Sequence, residues 1–356
     1  MTSVPTILLH DKTSDSCHID IQKWLLHSNL LTFSLMVHVL SNCHIIIILR
    51  YMKVVIFNVG GALSSYVETS TKKIVIDLGK SKEFSPVNNF LIPLFEKRGT
   101  KPGNDKYVID QLVLSHPHAD HINDLEEFDK NFYPVLYTTP NDLSPETDKH
   151  MNVNWELIDD SESNPVKKLR DMFKGRQLPL RVCEPTKMTI GYIYPGHVEN
   201  NDTLKSESYT NNISLGVILH SGYSIFFSGD IQKEGMKIFL DENSALKKQL
   251  SAGIDFLVTP HHGLRSSFST DLFSAMKNGK TKKLNIVSEK TTCGPDDKRQ
   301  VDSRYSTSDY CEGINNLSTD DSPVYQRKTS NGHIFIDDDG AITIETDINK
   351  IIKKFI

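Results

Sequence analysis

The stretch "LVLSHPHADHINDL", residues 112 to 125, constrains this chain more than any other. Three histidines and an aspartate fall within six residues, directly after an apolar run. In an extended segment, residues two apart project to the same side. His116 and His118 can therefore grip one cation together. Asp120 and His121 follow where a helix over "HINDLEEFDKNF" is expected to begin, and the turn into it can aim them at a second cation. Zinc takes imidazole nitrogen at about 2.0–2.1 Å and carboxylate oxygen at similar range.

Three further apolar runs end in the same way. "KKIVID" ends in Asp77, "YSIFFSGD" in Asp230, and "IDFLVTPHH" in His261 and His262. Short β-branched and aromatic runs read as buried strands. In layered α/β folds, the C-terminal edge of the strands is where sites are built. Charge placed there is costly unless it is paired or coordinated. Two cations about 3.5–4 Å apart need a shared ligand, and Asp230, arriving from another strand, is the natural bridge. Asp77 reads as an organiser that orients the motif loop through hydrogen bonds.

The rest of the chain excludes more than it asserts. A net charge of -5 argues against a broad polyanion-binding surface. The five cysteines include no CxxC pair, so neither a disulfide framework nor a zinc knuckle is expected, and a reducing, cytoplasmic location is. Residues 24 to 49 contain no Lys, Arg, Asp or Glu, a length that suits a membrane span, but they carry three His, two Asn, three Ser and a Cys. Three readings stay open for residues 1–51: an extension upstream of a fold that begins at "MKVVIFNVG", a membrane-seeking anchor, or part of the fold. The first places the motif-bearing domain at residues 52–356 and makes the extension dispensable. "KNGKTKK", residues 277 to 283, reads as a solvated turn, and Ser266, Ser267 and Ser269 as turn and capping residues. No GxSxG, Walker-type or GxGxxG element points to other chemistry.

"HPHADH" resembles the HxHxDH signature of the metallo-β-lactamase superfamily, and Asp77, Gly229-Asp230 and the late histidines follow in that superfamily's order. More narrowly, "FNVGGALSSYVE", "NNISLGVILHSGYSIFFSGDI" and "FLVTPHHGLRSSFS" resemble the hydrolase domain of ComEC-type competence proteins and their free-standing relatives, a bacterial phosphorylcholine esterase among them. The resemblance covers roughly residues 52 to 356, ending in a hairpin at "HIFIDDDGAITI". It implies an α/β (α+β) fold: a four-layer αββα sandwich of two mixed sheets with metals at one rim. It implies a hydrolase using two Zn²⁺, with Mn²⁺ as the alternative, to activate water against a phosphodiester or phosphoester, small-molecule or nucleic acid. The implied ligands are His116, His118, Asp120, His121, Asp230 and His261. Asp120 would also orient the nucleophile and His262 would donate to a phosphoryl oxygen or leaving group, with the choice between His261 and His262 as ligand open.

The chain also departs from that branch. The usual NVGQGD opening is here Asn58-Val59-Gly60-Gly61-Ala62. The third-motif histidine has no counterpart; its place falls at Asn211 or Asn212, and His197 in "YPGH" is a substitute. Two other functions remain in view, a lactonase- or lactamase-like hydrolase and a metal-stabilised binding module without turnover.

Overall fold

The computed structural model describes residues 51–99, 105–140, 153–159, 161–173, 187–289, 300–315 and 323–356. Its strands are β1 (Met52–Ile56), β2 (Ser64–Thr69), β3 (Lys73–Leu78), β4 (Tyr107–Val113), β5 (Phe132–Thr138), β6 (Met188–Gly191), β7 (Gly216–Ser221), β8 (Tyr223–Phe227), β9 (Phe256–Val258), β10 (Leu284–Val287), β11 (Ile314–Asn315), β12 (Pro323–Val324), β13 (Gln326–Lys328), β14 (His333–Ile336) and β15 (Ile342–Glu345). They form a seven-stranded sheet in the order β15-β14-β1-β2-β3-β4-β5, a six-stranded sheet in the order β13-β10-β9-β8-β7-β6, and the short ribbon β11-β12. Both large sheets are mixed. β3, β4 and β5 run parallel, as do β8, β9, β10 and β13, and the other neighbours are antiparallel.

Strand alternation builds the layers. In β1, Met52, Val54 and Ile56 join one apolar cluster while Val55 joins another. In β8, Ile225 and Phe227 join the first and Phe226 the second; in β9, Phe256 and Val258 join the first and Leu257 the second. The first cluster draws on both sheets and is the seam between them. The second adds helix residues such as Leu94, Phe128, Met236, Phe239 and Ile351, which cover the outer faces. This is the expected αββα arrangement.

One local departure from the expectation concerns the site. The helix after His121 is not continuous: it runs over Ala119–Ile122 and resumes at Leu125–Asn131. The break frees Asp124, whose fully buried carboxylate accepts from Ser85 Oγ (2.7 Å) and the Val87 N–H (3.0 Å) and pairs with Lys80 Nζ (3.2 Å). The hairpin β14–β15 turns through Asp339-Gly340 as its sequence predicts, and Asp337 Oδ1 closes the turn by accepting from the Asp339 and Ala341 N–H groups. It adds to the first sheet beside β1, so the chain crosses back to the sheet it began in. Within the polar stretch 140 to 185, the described part includes a helix at Asn164–Phe173; residues 141–152, 160 and 174–186 lie outside the described residues. So do residues 24–49. Among the described residues no helix is long and apolar enough to cross a membrane.

Candidate metal centre

The site forms at the C-terminal rim of β3, β4, β8 and β9. β4 ends at Val113, and Ser115 and His116 follow it into the rim. Asp77, near the end of β3, is fully buried and takes three hydrogen bonds: from the Ser115 N–H (2.7 Å), from Ser115 Oγ (2.8 Å) and from His121 Nδ1 (2.8 Å). That last contact leaves His121 Nε2 facing the site. Gly79 lets the motif loop come close. A Cβ there would lie 2.2 Å from the Asp120 carbonyl oxygen and 2.6 Å from that of Leu63, so no other residue fits. Gly229 is in the left-handed region (φ 56°), and a Cβ there would meet Ser214 Cβ at 2.7 Å. The Ser214 hydroxyl accepts from the Asp230 N–H at 3.1 Å.

Backbone strain gathers at the same rim. Asp77 (φ 57°), His261 (φ 46°) and His262 (φ 57°) all adopt left-handed conformations. Each costs roughly 1–3 kcal/mol and persists only where surrounding contacts enforce it. The His261 N–H donates to the Gly229 carbonyl at 3.1 Å, stitching this loop to the one that carries Asp230.

Two groups of ligand-type atoms result, each within 4.8 Å: His116, His118 and Asp230, and Asp120, His121 and His262. Asp230 faces both. Its Oδ2 lies 3.8 Å from His116 Nε2 and 3.6 Å from His262 Nε2, and its Oδ1 lies 3.3 Å from His121 Nε2. His116 Nε2 and His118 Nδ1 are 2.9 Å apart. Asp120 Oδ2 is 3.3 Å from His262 Nε2.

The electrostatics match a cation site. Burial pushes the fully buried His116 imidazole well below its ordinary value and keeps it neutral. Burial opposes charge on His121 and on Asp230 too, but their mutual attraction prevails, with His121 raised and Asp230 lowered. His262 is raised for the same reason by Asp230 and Asp120. Protons on these rings balance the two carboxylates; a bound cation would displace them. Buried His121 Nε2 and both ring nitrogens of His262 make no hydrogen bond. Such orphaned polar atoms cost about 1–3 kcal/mol each unless something coordinates them. The donor set, imidazole and carboxylate without thiolate, suits zinc or manganese.

The two late histidines are placed differently from one another. His262 joins Asp120 and His121, whereas His261 belongs to neither group. The His261 ring turns its Nδ1 to Ser267 Oγ (3.0 Å), with Nε2 3.9 Å from Asp230 Oδ2. His197 also belongs to neither group. It sits in the helix Pro195–Glu199 and its Nδ1 pairs with Glu242 Oε1. Asn212 is a structural clamp. Its Oδ1 accepts from the Gln232 N–H (3.0 Å) and its Nδ2 donates to the Leu204 carbonyl (3.0 Å). Asn211 is buried, and its Oδ1 has no hydrogen-bond partner.

Sequence reasoning missed Ser115, Gly79, Ser214 and Asp159. Ser115 and Ser214 lie inside quoted stretches and Gly79 two residues past one, so all three were within reach of it. Asp159, whose Oδ2 lies 3.3 Å from His118 Nε2, belongs to no motif. Beside the groups lies a cleft of about 800 Å³, whose walls include Gly60, Gly61, Lys82, Asp120, His262 and Glu289. The Gly60-Gly61 loop that departs from the ComEC pattern thus borders the site.

Two groups of residues that could hold metal, with Asp230 facing both, lie at the rim of a double sheet, as suits a metal-dependent hydrolase. The chain belongs to the metallo-beta-lactamase superfamily, which it matches over residues 58–281. Enzymes of this superfamily typically depend on two metals. No curated protein matches the chain. Solved structures similar to it include the metallo-beta-lactamase fold protein YhfI from Bacillus subtilis, at 14% identity over 70% of this chain and 90% of that one, TM-score 0.35. A diphosphatase from the PhnP family matches at 12% identity over 65% and 85%, TM-score 0.33. The metallo hydrolase Igni18 from Ignicoccus hospitalis matches at 14% identity over 66% and 81%, TM-score 0.32.

Proposed function

We propose that this hydrolase holds two divalent cations, zinc or manganese, and cleaves a phosphodiester or phosphoester. The observation that carries the reading is Asp230, one buried carboxylate facing both ligand groups. His116, His118 and Asp230 would hold one cation, and Asp120, His121 and His262 the other. Bound there, the pair would supply Lewis acidity and a water acidified to near neutral pH. Asp120 lines the cleft and can accept a proton from, and orient, the attacking water. Lys80 and Lys82 line the same cleft. Lys80 is engaged with Asp124, so Lys82 is the cation better placed to meet a phosphoryl oxygen. Asn211, Asn212 and Ser214 before β7 and the His261-His262-Gly263 turn, both within the stretches that resemble that branch, support a place in the ComEC-like branch.

Elemental analysis of the purified protein should find two metals per chain, and a chromogenic phosphodiester should be cleaved where a lactone and a β-lactam are not. Protein without metal after growth in ample zinc would sink the reading. Cleavage of the lactone or β-lactam alone would move the chain to the non-phosphate hydrolases, and two metals without any turnover would make it a binding module.

The late histidines make a second test. His262→Ala should remove one of the two metals, and His261→Ala should keep both. His197→Ala should leave metal content unchanged, since its partner is Glu242. Loss of a metal from His261→Ala, measured by the same elemental analysis, would reverse the assignment.

A further inference from the structure

We infer that Asp159 is a positioning residue for His118, standing in for the imidazole that the third motif lacks; this rests on the two-cation reading above. His118 approaches His116 through Nδ1, at 2.9 Å from His116 Nε2. Its other nitrogen, Nε2, lies 3.3 Å from Asp159 Oδ2. A histidine that ligates through one nitrogen and donates from the other has its tautomer and ring plane fixed by the acceptor behind it. Asp159 is that acceptor.

The carboxylate is exposed, with 61% of its side-chain surface open to solvent, and an ordinary surface pair of this kind is held weakly. This one is held in place. The Asp159 N–H donates to Thr210 Oγ1 at 2.8 Å, and Ser208 Oγ donates to Asp159 Oδ2 at 3.2 Å. The segment is docked a second time at Asn154. Its N–H donates to the Tyr209 hydroxyl at 2.8 Å, and its Nδ2 donates to Glu199 Oε1 at 2.8 Å. Ser208 in turn accepts from the Asn211 N–H at 3.1 Å. Residues 208–210 run directly into Asn211 and Asn212, where the third-motif histidine would fall. Instead of supplying a third ring to the cation, this segment carries a frame that sets the carboxylate behind the second ring.

The test is competitive titration of the metal-free full-length protein with Zn²⁺ against a chromophoric chelator, for the wild type, Asp159→Ala, Asp159→Asn and Ser208→Ala. Asp159→Ala should weaken one of the two sites about 10- to 100-fold and leave the other unchanged. Asp159→Asn keeps an oxygen acceptor for the His118 N–H and should recover most of that loss. Ser208→Ala should weaken the same site by a smaller factor. The melting temperature of the metal-free protein should stay at the wild-type value in all three variants. Wild-type affinities at both sites in Asp159→Ala would overturn the inference. So would equal losses at both sites, or an asparagine variant no better than alanine. A wild type that takes up no Zn²⁺ would overturn the two-cation reading itself, and this inference with it.

Discussion

Asp230→Asn is expected to cost both metals and nearly all activity. Among the described residues Asp230 is the carboxylate that faces both groups, and it is almost completely buried. Asparagine keeps the shape but removes the charge that balances His121 and His262. Its amide nitrogen would also face imidazoles that are already short of acceptors. Lewis-acid stabilisation by bound metal is worth several kcal/mol. A loss of about 4 kcal/mol corresponds to about 10³-fold in rate. Elemental analysis should therefore fall from two metals per chain toward none, with turnover of a phosphodiester down by about that factor. A variant that retains one tightly held metal would show that Asp230 serves a single site and that the second is completed elsewhere.

The second large effect is expected at Asp77. Removing its carboxylate leaves the Ser115 N–H, the Ser115 hydroxyl and His121 Nδ1 without the acceptor they share in a fully buried place. Breaking a buried, hydrogen-bonded charge pair costs about 3–5 kcal/mol. Alanine at φ 57° adds strain that aspartate and asparagine tolerate better. Asp77→Ala should thus lose a large part of the domain's stability in urea melts of the metal-free protein. Asp77→Asn can still accept from the Ser115 N–H and keeps the backbone conformation, so it should melt closer to wild type. It should nonetheless bind the His121-side cation about 10- to 100-fold more weakly, because the ring loses its anionic partner. If Asp77→Ala melts like wild type, the carboxylate is not what holds the motif loop.

The His and Asp residues that gather at the rim and the layers were legible in the sequence because both depend on short-range pattern. Apolar runs of period two place Val54 on one face and Val55 on the other, and each run announces its terminal Asp or His. Three things were not legible. Which of His261 and His262 enters a ligand group depends on two successive left-handed residues, and adjacent imidazoles look alike in one dimension. Asn212 and His197 looked available because their partners, Gln232 and Glu242, lie far along the chain. Asp159 lies 41 residues from His118, in a stretch without periodicity, and only the folded segment brings the two together.

The position of β14 has a consequence for the order in which the fold can be completed. β1 pairs with β2 on one side and with β14 on the other, across Val54↔Ile336 and Ile56↔Ile334. A chain emerging from the ribosome thus carries β1 with one side unpaired until residues 333–336 have been made. An unpaired, largely apolar strand edge invites pairing with other chains, and contacts this distant in sequence form slowly. The ligand groups share the delay, since His116, His118 and His121 come early while Asp230 and His262 come late. On the two-cation reading, the first group would be complete only once residue 230 has been made and the second only once residue 262 has, and a cation held by either would tie together two halves that were synthesised far apart.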